Sequence, residues 1–318
     1  MTRKIIAVLA FLLPVVCNAQ SYPAKPVRIV LPFGPGGIAD ITTRTIAPKM
    51  GEGLGQQVVI ENMPGAGGIR AAAEVAKAEP DGHTLLLLTN GNAVSQALFK
   101  SLPYDPVNDF SMISTVGFFS MVIVTRPESQ AKTLQEAIAM AKANPGKMNI
   151  GTITPGGTQH LAGELFRSTA GIDALVVPHK TTGEVVIAAR NGNVDLAVDF
   201  IAPLISQIKS GALRPLAVTA ARRFPGLPDV PTAIEAGVAG YDVASWNAMA
   251  APAKTPRAVI ERVNQELRKA IASPEVQKRF AELGVDGRTS TPEELRTFFA
   301  SESQRWTKVV EAAKIPKQ

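Results

Sequence analysis

Two glycine-rich bends hold the residues of this chain best suited to chemistry, and that chemistry is capture of an anion through the backbone. In Pro32-Phe-Gly-Pro-Gly-Gly-Ile-Ala-Asp40 an apolar run turns through Gly34, Gly36 and Gly37 into a helix start. Glycine has no Cβ, so a ligand can come close to the main chain, and the first N–H groups of a helix have no partner within it. Pro32 and Pro35 stiffen the bend without donating. Thr152-Ile-Thr-Pro-Gly-Gly-Thr-Gln-His160 repeats the arrangement before a second helix. Two such starts can grip one anionic ligand through backbone donors and helix dipoles, although ordinary turn chemistry explains either bend alone.

Other polar residues cluster near these bends. The loops Thr89-Asn-Gly-Asn-Ala93 and His179-Lys-Thr-Thr-Gly183 also follow strand-like runs. Asp40 reads either as a stabiliser of its helix N-terminus or as a ligand contact. Asp199 reads either as an acceptor for a ligand amine or hydroxyl, or as a cap for the next helix. His160 reads as a ligand contact or a structural residue, and Trp246 as a wall of the site or core filling. The chain has no G-x-S-x-G, H-E-x-x-H or G-x-x-x-x-G-K-[ST] pattern. His83, His160 and His179 lack metal-ligand spacing. No catalytic group, metal or cofactor is therefore expected.

The elements that must position these groups are short β-rich runs alternating with helical patterns, which points to an α/β protein with largely parallel sheets. Strands are expected at 27–31, 58–61, 84–89, 121–125, 149–152, 175–178, 194–199 and 213–219. Thr133-Leu-Gln-Glu136 forms a capping box, and Thr255-Pro256 and Thr291-Pro292 mark two further helix starts. The chain is strongly helical after about Thr255, whereas residues 122–228 form a self-contained run of β and α units. Two lobes with a ligand crevice between them follow: residues 20–121 and 229–318 as a discontinuous first lobe, and 122–228 as the second. The crossings are expected near 117–121 and 225–231. Parallel α/β sheets bind ligands at the carboxyl ends of their strands, so the polar loops should face the crevice.

Arg3 and Lys4 precede an apolar run ending in Cys17-Asn18-Ala19, which reads as a signal peptide over residues 1–19 with cleavage near Ala19/Gln20. That cleavage removes the only cysteine, so the mature chain relies on its core and not on disulfides. The net charge of +6 includes Arg3 and Lys4, leaving +4 for the mature chain. With no block of like charge and few aromatics, nucleic-acid binding is not expected.

These residues resemble the periplasmic solute-binding proteins of tripartite tricarboxylate transporters, the Bug receptor family. The resemblance rests on Pro32 to Asp40 with Arg44, Glu61-Asn-Met-Pro-Gly-Ala-Gly-Gly68, Asp81-Gly-His-Thr-Leu85 and His160-Leu-Ala-Gly-Glu-Leu-Phe166. Trp246 before Ala251-Pro252, Thr255-Pro256, and Glu302 with Arg305-Trp306 complete it. It implies a two-lobed periplasmic-binding-protein (Venus flytrap) fold, acting as a monomer in the periplasm. Such a protein captures a small carboxylate and delivers it to membrane transporter subunits; the alternative is a loaded receptor that touches a sensor kinase. Carried over by position, Phe33, Gly36, Gly37 and Asp40 form the first binding loop, Thr89 and Asn92 lie beside it, and Thr154, Gly157, Thr158, His160 and Asp199 lie opposite. The chain departs from the family pattern at Arg70 and at His179-Lys-Thr-Thr182, a loop that selects the ligand.

Overall fold

The computed structural model describes residues 22–65, 68–153 and 157–317; the leader expected over residues 1–19 lies outside them. The chain begins with strand–helix repeats: β1 (Val27–Leu31), α1 (Ile38–Leu54), β2 (Val58–Asn62), α2 (Ile69–Ala76), β3 (Thr84–Thr89) and α3 (Asn90–Leu98). A long strand, β4 (Phe110–Thr125), is followed by α4 (Leu134–Ala143), β5 (Met148–Ile153), α5 (Thr158–Thr169), β6 (Ala174–His179) and α6 (Thr182–Asn191). Next come β7 (Leu196–Phe200), α7 (Ile201–Lys209), β8 (Arg214–Val218) and β9 (Ala244–Pro252). The chain closes with α8 (Arg257–Ala272), α9 (Pro274–Glu282), β10 (Val285–Asp286) and α10 (Pro292–Ala312).

β4 belongs to both lobes. Its residues up to Ser120 pair antiparallel with β9, which also lies along β3, while β1 sits parallel between β2 and β3. From Met121 onward β4 pairs with β7 and β8, and β7 continues through β5 to the edge strand β6. The change of partner falls between Ser120 and Met121. β1 and β3 run parallel, so their carboxyl ends, which carry the first loop and Thr89, lie together at one end of the first sheet.

β9 is not among the strands expected from sequence. Its run Ala-Ser-Trp-Asn-Ala-Met-Ala-Ala-Pro is rich in alanine, which has low strand propensity. Tertiary context overrides that preference. Met249 and Ala251 enter the core under α1 and α8, while Trp246, Ala248 and Ala250 enter the one under α2 and α10. Small side chains in a strand covered on both faces let helices pack closely from either side.

The segment after β8 also departs from the sequence reading. Residues 229–243, assigned there to the first lobe, dock onto the second. The Ala233 N–H donates to the Val218 carbonyl and the Val243 N–H to the Thr219 carbonyl, each at 2.8 Å. Ala233, Val238, Tyr241 and Val243 share a core with Leu161 and Phe166 of α5. Strand pairing with the first lobe resumes only at Ala244. α10 bridges the lobes, because Leu295 and Phe299 pack in the first lobe while Trp306, Val309 and Val310 join a core that Val94, Ala97 and Leu98 of α3 share with the second lobe. Burial of apolar area decides these allegiances, and turn composition around Pro225 carries no information about it.

Candidate functional site

α1 and α5 start alike. Gly37 caps α1 at φ −76° and ψ 165°, and Gly157 caps α5 at φ −70° and ψ 165°. Among the described residues no side chain caps either helix start, so none of them competes for the first backbone donors. Gly36 has φ 84°, the left-handed conformation that makes glycine the suitable residue at the tightest point of the bend.

The acid of the first loop turns inward. Asp40 accepts hydrogen bonds from the Gly36 N–H at 2.9 Å, Asn62 Nδ2 at 2.9 Å and Arg44 Nε at 3.0 Å. Burial opposes its ionisation, but these hydrogen bonds and the Arg44 charge prevail and hold its carboxyl below the usual range. Asn62 also donates to the Phe33 carbonyl at 3.0 Å. Asp40 thus shapes the loop with both carboxylate oxygens engaged. Phe33 is 42% exposed.

The second lobe uses the same device. Asp199 is fully buried and accepts from Gln159 Nε2 at 3.0 Å, Thr182 Oγ1 at 2.7 Å and the Phe200 N–H at 2.7 Å. It ties the starts of α5, α6 and α7 together. Burial raises its pKa above the ordinary value against the opposing pull of the three hydrogen bonds. A carboxyl raised on folding contributes stability fully below its unfolded value, about 4, and loses that contribution as pH rises through the folded value. Asp199→Asn keeps the Oδ1 acceptor and can donate from Nδ2 to Thr182. Thermal melts from pH 4 to pH 7 should therefore show the variant gaining on the unmodified protein as pH rises, whereas a constant difference would exclude the burial cost as the cause.

Between the loops lies a group of buried amides and hydroxyls. Thr89 caps α3, and Asn92 Oδ1 accepts from both the Thr89 N–H at 2.9 Å and its hydroxyl at 3.0 Å. Asn90 Nδ2 donates to Thr158 Oγ1 at 3.2 Å, joining the start of α3 to the start of α5, and Thr158 lies 3.5 Å from the Ser245 hydroxyl. Among the described residues, Asn90 Oδ1, Asn92 Nδ2, Thr152 Oγ1 and Asn247 Nδ2 are buried without a hydrogen-bond partner. A Cβ on Gly68, at φ 91°, would stand 3.1 Å from Pro32 Cβ and 3.8 Å from Asn92 Nδ2. Gly68, which precedes α2, therefore packs against Pro32 of the first loop beside α3.

The structure thus gathers Thr89, Asn92 and Thr158 around Asn90 and sets Asp199 behind Gln159. Thr154 lies outside the described residues. His160 is buried, which lowers its pKa although Glu164 opposes this, so it is neutral at pH 7. Trp246 is buried, with its indole N–H donating to Glu302. Asn90 lies within the polar loop Thr89–Ala93, where nothing local distinguishes it, and Asn247 sits in the unexpected strand, where no local signal marks it. No cluster of His, Cys, Asp and Glu fit to hold a metal occurs among the described residues.

Comparison with known proteins agrees with this architecture. Residues 42–315 match the family described as the tripartite tricarboxylate transporter family receptor. The UPF0065 protein of the TAR-I ttuE-ttuC' intergenic region of Agrobacterium vitis is 39% identical over 98% of this chain and 92% of its own length. BugT of Bordetella pertussis is 35% identical, covering 92% of this chain and 90% of that protein. The R. palustris protein Rpa4515, solved with adipate, superposes with a TM-score of 0.80 at 31% identity, over 93% of this chain and 100% of that one. MatC of Rhodopseudomonas palustris, solved with malate, gives 0.76 at 31% identity, over 91% and 100%. With its two α/β lobes, its matched glycine-capped helix starts and this similarity over nearly its whole length, the chain belongs to the Bug type of tripartite tricarboxylate transporter receptors.

Proposed function

We propose that this chain captures a small organic acid carrying one to three carboxylates in the crevice and hands it to the membrane subunits of a tripartite tricarboxylate-type transporter. It does so from the periplasm and by binding alone. The observation that carries this reading is the pair of glycine-capped helix starts, one in each lobe, beside buried amides that lack partners among the described residues. Backbone N–H groups at a helix start suit a carboxylate, and buried polar groups are normally satisfied, so the amides are ready to engage the rest of the ligand. The relatives solved with adipate and malate support an aliphatic acid. No helix among the described residues is long and apolar enough to cross a membrane.

Closure would bend the chain where β4 changes partner after Ser120 and where β9 begins at Ala244, with α10 packed on both lobes as a third connection. A thermal-shift screen of malate, adipate and an aliphatic and aromatic acid library tests capture. A ligand at a hundred times its dissociation constant stabilises the native state by about 2.7 kcal/mol. At least one acid should raise the melting temperature at millimolar concentration, and a flat response across the library would overturn the reading.

A further inference from the structure

The strands that join the lobes have two faces. Successive side chains of a strand point to opposite sides, so Ser245 and Asn247 of β9 share one face, and Ala244 and Trp246 share the other. On the first face Ser245 lies 3.5 Å from Thr158, whose hydroxyl also accepts from Asn90 at 3.2 Å. The start of α5 therefore rests on Ser245 and Asn90, the closed arrangement of the crevice. On the second face a cavity of about 640 Å³ lies behind the hinge. Phe118 and Ser120 of β4, opposite Trp246 and Ala244, form its floor. Its walls belong to different lobes, residues 220–226 after β8 on one side and Ala281 of α9 with residues 284–288 on the other.

One side chain spans the gap between these walls. The Phe224 ring packs on the second-lobe core and reaches Gly284 of the first lobe, where a Cβ would stand 3.2 Å from Phe224 Cζ. A Cβ on Gly226 would stand 2.6 Å from Phe224 Cε1, so two glycines leave the room in which the ring sits. Lobes that turn about a pair of strands approach each other on one face as they separate on the other. Opening the crevice therefore drives the walls behind the hinge together, and the packed Phe224 ring has to be displaced before they meet.

We propose that Phe224 is a positioning residue, a wedge behind the hinge that biases the ligand-free protein toward the closed arrangement. It rests on the closure assigned above to ligand capture. Bulk added between the same walls acts in the same sense, and affinity for an acid follows the closed fraction. Phe224→Ala removes the wedge, whereas Ala281→Trp and Ala221→Trp, at exposed positions on the two walls, add bulk. Small-angle scattering of the ligand-free mature chain should give a larger radius of gyration for Phe224→Ala than for either tryptophan variant. Calorimetry with adipate and malate should show Phe224→Ala binding about fivefold more weakly than the tryptophan variants. If neither acid binds, the scattering decides alone, so a wrong ligand class and a wrong wedge are told apart. Equal radii across the variants, or a change in radius with unchanged affinity for an acid that binds, overturns the proposal.

Discussion

Gly37→Asp is expected to cut carboxylate affinity at least tenfold, about 1.4 kcal/mol, while leaving the protein folded. Gly37 has φ −76°, which any residue adopts, and a Cβ built there meets nothing within 4 Å. Aspartate is also among the preferred N-cap residues, so the new carboxylate would accept the free N–H groups at the start of α1 and slightly stabilise the helix. Those donors are the ones the ligand needs. The occupied donors and the like charge of the new side chain both work against capture. Calorimetry with the acid that gives the largest thermal shift, together with a circular dichroism melt of the same sample, separates binding from folding. A well-folded variant with undiminished affinity would show that the first loop is not the carboxylate site.

Glu302→Ala is expected to cost about 3 kcal/mol of stability, enough to lower the melting temperature by roughly 5 °C or more. Glu302 is buried on α10 and its Oε2 accepts both indole N–H groups, from Trp246 and Trp306, each at 3.0 Å. Truncation leaves two buried donors without an acceptor and removes one of the two partners of Arg305, the other being the Asp242 carbonyl. Glu302→Gln keeps a carbonyl oxygen that can accept and should lose less. Equal losses in the two variants would mean that packing of the side chain, and not its acceptor role, holds α10 to the hinge strand.

Much of the fold is legible in the sequence because its signals are local. Capping boxes at Thr133 and Thr291 form as their spacing requires, with each threonine and its Glu at N3 exchanging hydrogen bonds. The strand, glycine bend and helix start from Val27 to Asp40 need only neighbouring residues to be recognised. β9 is different, since its alanines become a strand only when β3 and β4 flank it and helices cover both faces.

Hydrophobic period, caps and turn residues act over a few positions, so the two α/β lobes and the glycine-rich loops are written locally. Tertiary structure alone decided the orientation of the acids. The local sequence around Asp40 and Asp199 fits either of two roles, and both carboxylates turn into their own lobe, where Arg44 and Asn62 or Gln159 and Thr182 take them up. Tertiary structure also brought Asn90 to Thr158 across 68 positions and set residues 229–243 and the end of α10 on the second-lobe core. These choices rest on burial and on satisfying polar groups between residues far apart in the chain, and no local pattern encodes them.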